Sequence, residues 1–173
     1  MSRDVSVSFH LNGEPVSAQV PDDLSLLDYL REERGLAGTR LCCGIGVCKA
    51  CTVSARRAAG SQAQPMLACS TPVALLQDQH ITTVEGVGTP QRPSAVQQSF
   101  LEHFAFQCGY CTPGFVMATT LLIERLRARP VAREALDEAI AEAVGQHICR
   151  CTGYARYHAA IRAAILNEKG LVR

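Results

Sequence analysis

Gly38-Thr-Arg-Leu-Cys-Cys-Gly-Ile-Gly-Val-Cys-Lys-Ala-Cys-Thr-Val53 is the stretch from which the rest of the chain can be read. Cys43, Cys48 and Cys51 stand in C-x4-C-x2-C spacing, and Cys69 follows as a fourth. This is the plant-type spacing for a [2Fe–2S] cluster. Four thiolates must converge on a small cluster from all sides, and a short loop wraps one face only if it is rich in glycine. Gly44 and Gly46 let backbone N–H groups turn inward and hydrogen-bond the sulfurs, which tunes the reduction potential. Taking Cys42 in place of Cys43 would give C-x5-C and break the spacing, so Cys42 is read as a free or packed thiol. Zinc is the competing occupant. It favours paired C-x2-C knuckles, which a glycine-rich C-x4-C arm does not supply.

Upstream of the loop, Val5, Val7 and Phe9 alternate with polar residues, as do Val16, Ala18 and Val20, and Asn12-Gly13 between them predicts a hairpin. Asp22 or Asp23 is expected to cap a helix carrying Leu24, Leu27 and Leu30, closed by Gly35. Downstream, Cys51 to Ser54 reads as a strand leaving the loop, and 55–64 as a solvent-facing hairpin containing Arg56, Arg57 and Gly60. Met66 leads to Cys69, and Ile81 to Val84 forms the last strand. The order is compatible with a β-grasp sheet, though propensity alone does not choose it over other α+β folds.

Residues 85–93 hold two glycines and two prolines, the composition of a linker, between a domain over 1–84 and another over 94–173. The second half reads as four short helices: 95–106, then from Thr112-Pro113 to about Arg127, 132–144 closed by Gly145, and 154–167. Short connections suggest a small bundle. Thr112 serves as cap with proline at the first helical position. Gln107-Cys-Gly-Tyr-Cys-Thr-Pro-Gly114 supplies C-x2-C, and His147-Ile-Cys-Arg-Cys-Thr-Gly-Tyr154 supplies C-x-C. Both sit at predicted helix starts, whose free N–H groups and positive dipole ends suit an anionic cluster. Two such loops at one end of a bundle bring Cys108, Cys111, Cys149 and Cys151 together. Zinc and a redox disulfide are the alternatives, and the C-x-C spacing favours iron over structural zinc.

The 173 residues fit one domain or two small ones. Apolar residues reach 47% but aromatics only 5%, with no Trp, so the cores rest on Leu, Val, Ile and Ala. Seventeen basic and sixteen acidic residues give a formal charge of +1, which leaves no basic field for nucleic acid. The longest near-apolar run, 114–123, is too short to span a bilayer, so no direct membrane insertion is expected. Met1-Ser-Arg-Asp-Val has neither a hydrophobic signal core nor a twin-arginine pair. The expected location is cytoplasmic by default, and only a partner with its own signal would carry the chain out. Nine cysteines, an odd number, argue against a disulfide framework and read as four, four and one. Two oxidised clusters with their thiolates would take the formal charge from +1 to −3, and Arg40, Lys49, Arg150 and Arg156 lie near the cysteines.

Together the Cys43–Cys51 loop, Thr83-Val-Glu-Gly86, the Gln107–Gly114 motif and Ile148-Cys-Arg-Cys-Thr-Gly-Tyr154 resemble the small iron–sulfur subunit of the molybdenum hydroxylases, the xanthine oxidase family. That family includes carbon monoxide dehydrogenases and isoquinoline, nicotinate and aldehyde oxidoreductases. The resemblance runs from Val5 to about Leu166. It implies an α+β chain: a plant-ferredoxin-like β-grasp, then a four-helix bundle that binds the second cluster. Cys43, Cys48, Cys51 and Cys69 would hold the outer [2Fe–2S] cluster, and Cys108, Cys111, Cys149 and Cys151 the inner one. Gln107 would contact the molybdopterin of a large catalytic subunit, and Cys151 would approach its amino group. Electrons would leave for a flavin (FAD) subunit, a haem cytochrome or another acceptor. The chain itself would supply no catalytic group and show no turnover alone, with the substrate an aldehyde or an aromatic N-heterocycle. The family usually has glycine where Cys42 and Lys49 stand, which leaves the outer potential open. On the same reading His10, His80, His103, His147 and His158 are structural or surface groups, and Glu85 orders the linker. A free-standing two-cluster ferredoxin and a redox sensor compete. The first needs only one cluster domain, and the second wants a basic DNA-binding helix that is not found.

Overall fold

The computed structural model describes residues 3–173. The alternating apolar residues form strands β1 (Asp4–Leu11) and β2 (Glu14–Pro21), joined at Asn12-Gly13. Both turn residues hold positive φ, 53° and 93°, the geometry an Asn-Gly hairpin requires. Three more strands follow: β3 (Thr52–Arg56), β4 (Gln64–Leu67) and β5 (His80–Thr82). The sheet runs β2-β1-β5-β3-β4, with β5 parallel to β1 and every other neighbour antiparallel. Helix α1 (Leu26–Asp28) continues as a π-helical turn over Tyr29–Glu33. Leu26, Leu27 and Leu30 meet Val7, Phe9, Val53 and Ile81 in one core. This is the expected β-grasp.

The cap of α1 differs from expectation. Ser25 Oγ accepts the Asp28 amide at 3.1 Å, whereas Asp22 takes the amide of Arg3 and so serves the edge of the sheet. Leu24 therefore lies before the helix. The last strand also ends early, at Thr82, because the Thr83 amide donates to the Asn12 side chain at 2.8 Å instead of joining the ladder. Val84–Gly86 then turns as a 3-10 segment. Glu85 accepts the Gly38 amide at 2.8 Å and the Thr83 hydroxyl at 2.5 Å, tying the 85–93 stretch to the cysteine loop.

The second half packs α2 (Ala95–Glu102), α3 (Thr112–Ala128), α4 (Leu136–Val144) and α5 (Ala155–Asn167) around a core of Phe100, Phe115, Leu122, Leu126, Ile140 and Ile161. Ser94 and Gln97 form a reciprocal capping box on α2. This helix stops at Glu102 rather than at Phe106, since Phe104 turns to φ 48°. Residues 133–135, expected in the third helix, form a 3-10 turn before α4. Thr112 is the first helical residue of α3 and not its cap, because its hydroxyl bonds the Tyr157 phenol at 2.7 Å. No helix among the described residues is long and apolar enough to cross a membrane.

The hairpin at 55–64 is not wholly solvent-facing. Ala58 to Gly60 are exposed, but Arg56 clamps Glu124 of α3 through two 2.6 Å hydrogen bonds.

Candidate iron–sulfur sites

Residues 38–51 have no regular structure and bend through left-handed backbone at Gly44 (φ 70°), Gly46 (φ 73°) and Lys49 (φ 62°). Those turns aim amides at one sulfur. The Cys48 N–H points at Cys43 Sγ at 3.4 Å. Hydrogen bonds from the Cys48 amide first, then from those of Ile45 and Val47, pull the Cys43 thiol down to about 6. Gly44 and Gly46 flank Ile45 within this turn. Burial pushes Cys48 up, and pushes Cys51 up to about 12, with the Cys69 thiol adding to the rise in Cys51. The four expected outer ligands thus stand as two neighbouring pairs, Cys43 with Cys48 and Cys51 with Cys69. Cys42 is exposed, with its thiol beside that of Cys48.

The second group lies at one end of the bundle. Cys108 and Cys151 are exposed, their sulfurs 3.5 Å apart. The Tyr110 amide, then the Cys151 thiol, lowers Cys108, and the same thiol contact raises Cys151. Cys111 stands just before the first residue of α3 without capping it, and burial lifts its thiol to about 11. Burial works against ionising Cys149, but bonds from the Thr152 hydroxyl (3.0 Å) and amide outweigh it and leave the thiol lowered. Gly109 and Gly153 take positive φ, as does Tyr154, at the turns between these cysteines. Gln107 is exposed beside Cys108. Among the described residues no three His, Cys, Asp or Glu gather closely enough for a single metal ion. The sulfurs come in twos, with Cys108 next to Cys151 and Cys111 next to Cys149. A two-iron cluster, whose irons each take two thiolates, fits that donor set.

Three residues around the inner group were not assigned a role from sequence. Tyr157 is buried, stacks on Phe115 (centroids 4.1 Å apart) and reaches Cys111 Sγ at 3.5 Å. Tyr154 accepts the Cys149 amide on its phenol oxygen at 3.0 Å. Thr152 holds Cys149. The Thr-Gly-Tyr run was visible as part of a motif, but Tyr157 reads as an ordinary helical core residue. Burial also lowers His147 to about 4, so this histidine is neutral near pH 7, packed on Phe115.

The two cysteine groups meet across one seam. Ile148, next to Cys149, donates its amide to the Cys48 carbonyl at 3.1 Å. Gly114 abuts Lys49 so closely that an added β-carbon would lie 2.4 Å from the Lys49 oxygen. Tyr110 donates its hydroxyl to the Leu41 carbonyl, and Arg40 lies over the Tyr110 ring.

Residues 9–74 match the family described as 2Fe-2S iron-sulfur cluster binding domain, and 83–162 the family described as [2Fe-2S] binding domain. The nicotinate dehydrogenase small FeS subunit of Eubacterium barkeri is 37% identical over 93% of this chain and 95% of its own length. The chain belongs to the small iron–sulfur subunits of the xanthine oxidase family. Aldehyde oxidase 4 of Cavia porcellus is 41% identical over 84% of the chain, which spans only 11% of that longer protein. Quinoline 2-oxidoreductase from Pseudomonas putida 86 superposes with a TM-score of 0.79 at 32% identity, covering 94% of this chain and 97% of the matched one. As a member of this family, the chain is an electron-transfer subunit of a molybdenum hydroxylase, built from two [2Fe–2S] domains. It stands beside a large molybdopterin subunit.

Proposed function

We propose that this subunit passes electrons singly between a molybdopterin site in its large partner and an acceptor, a flavin subunit or a cytochrome. Cys43, Cys48, Cys51 and Cys69 hold the outer [2Fe–2S] cluster, and Cys108, Cys111, Cys149 and Cys151 the inner one. Each cluster, when bound, takes up and gives back one electron. The chain's own residues do the rest. The amides of Ile45, Val47 and Cys48 favour the Cys43 thiolate, and Thr152 favours that of Cys149. The bond from Ile148 to Cys48 carries the reading, because it joins the two ligand sets by a single 3.1 Å contact.

Gln107 and Cys151 meet the pterin on the face where Cys108 and Cys151 lie open. Exposed Phe104 (72%) and Leu101 (50%), nearby in sequence, supply an apolar surface for the large subunit to cover. The named relatives act on nicotinate, quinoline and aldehydes, which supports an aldehyde or an aromatic N-heterocycle as substrate. The linker at 85–93 separates the two cluster domains.

Iron and sulfide analysis with EPR of the dithionite-reduced subunit tests this. The expected outcome is about four irons per chain and two distinct [2Fe–2S] signals. About two irons with zinc present would make the helical half a zinc module and remove the inner step.

A further inference from the structure

Lys49 stands between two of the proposed outer ligands with φ 62°, a conformation that strains a side chain and leaves glycine at ease. The backbone is held there from both sides. The Cys48 carbonyl takes the Ile148 amide at 3.1 Å, and the Lys49 carbonyl takes the Thr52 amide at 3.2 Å and the Thr52 hydroxyl at 2.7 Å. The same Lys49 carbonyl rests on Gly114. Glycine would meet all of these demands without strain, so they do not account for a lysine. The side chain folds back over the cysteine loop instead. Its Nζ donates to the Gly46 carbonyl at 3.1 Å, inside the turn that runs from Cys43 to Cys48. Among the described residues it pairs with no carboxylate. An uncompensated cation is thereby clamped to the loop whose sulfurs are to hold an anion.

We propose that Lys49 sets the potential of the outer cluster, its clamped ammonium favouring the reduced state and drawing the electron outward from the inner cluster. The inference rests on the ligand assignment above. Reduction adds one electron and turns one ferric ion ferrous, and no bond forms or breaks. The added negative charge is what the ammonium stabilises. Removing the cation lowers the outer potential more than the inner one, because the ammonium is clamped to the outer loop.

The test is an EPR-monitored redox titration of the cluster-loaded subunit as wild type, Lys49→Gln, Lys49→Gly and Lys49→Arg. In the Gln and Gly variants the electron's partition between the clusters should move about tenfold toward the inner one, which is about 59 mV at the one-electron constant. The Arg variant should stay near wild type. Should the Gln variant fail to load iron, the Gly variant decides, since glycine suits the backbone at this position. Both signals present with unchanged outer potentials would overturn the role of Lys49 and leave the ligand assignment standing. An Arg variant displaced as far as the Gln variant would also overturn it, showing shape and not charge at work. A wild-type protein with only one cluster signal would remove the ligand assignment and the role of Lys49 together.

Discussion

Around the inner thiols, single hydroxyl groups reach individual sulfurs. Tyr157 is the clearest case, since one phenol serves both the first residue of α3 and Cys111 Sγ. Tyr157→Phe keeps the stacking on Phe115 and deletes only those bonds. A loss of about 1 kcal/mol is expected, with a lower potential for the inner EPR signal. Chemical denaturation reads the first effect and redox titration the second. The two adjacent cysteines should separate just as cleanly. Amides converge on Cys43, while Cys42 is exposed. Cys43→Ser should therefore cost about half of the bound iron and Cys42→Ser none of it, by colorimetric iron assay. Equal losses would mean that Cys42 has entered the ligand set.

At the level of elements, the start of α3 is the crowded point. Gly114 is buried with the Lys49 carbonyl against it, so Gly114→Ala forces the helix and the cysteine loop apart. A destabilisation of about 1–3 kcal/mol is expected from overpacking, and a denaturation midpoint equal to wild type would show that the seam gives way freely. By contrast, the capping box of α2 is a local matter. Ser94→Ala should cost about 1 kcal/mol and leave the EPR spectrum untouched, because no cysteine lies on α2.

Across the whole molecule, ion pairs span elements far apart in sequence. The Arg56–Glu124 pair joins the β3–β4 hairpin to α3, with each side chain about two-thirds covered (32% and 28% exposed). Glu124→Gln should cost about 1 kcal/mol, since the geometry is bidentate but the site is still wetted. Arg127 grips Glu168 between the end of α3 and the end of α5, and holds its carboxyl below the ordinary carboxylate range. A carboxyl lowered in the folded state adds stability that is complete above that range and fades as pH falls through it. The stability difference between wild type and Glu168→Gln should therefore shrink on acidification, as read by denaturation at matched pH.

Local chemistry was enough to read β1, the Asn-Gly turn, β2, the cysteine spacings, the helical half and the proline near the start of α3, because each depends on a few neighbouring residues. Gly44 and Gly46 were legible for the same reason: a loop that must turn amides toward a sulfur needs positive φ. Long-range competition for hydrogen bonds lay beyond reach. Asp22 was taken up by Arg3, leaving Ser25 to cap α1, and Tyr157 drew Thr112 away from capping, across 45 residues. Arg56 looked like a solvent residue until α3 brought Glu124 to it. By itself the sequence determined which thiols belong to which half of the chain and what family they signal. Only the tertiary structure decided that the halves meet at Cys48 and Ile148, because that contact is made by backbone groups, which every residue carries and no motif marks.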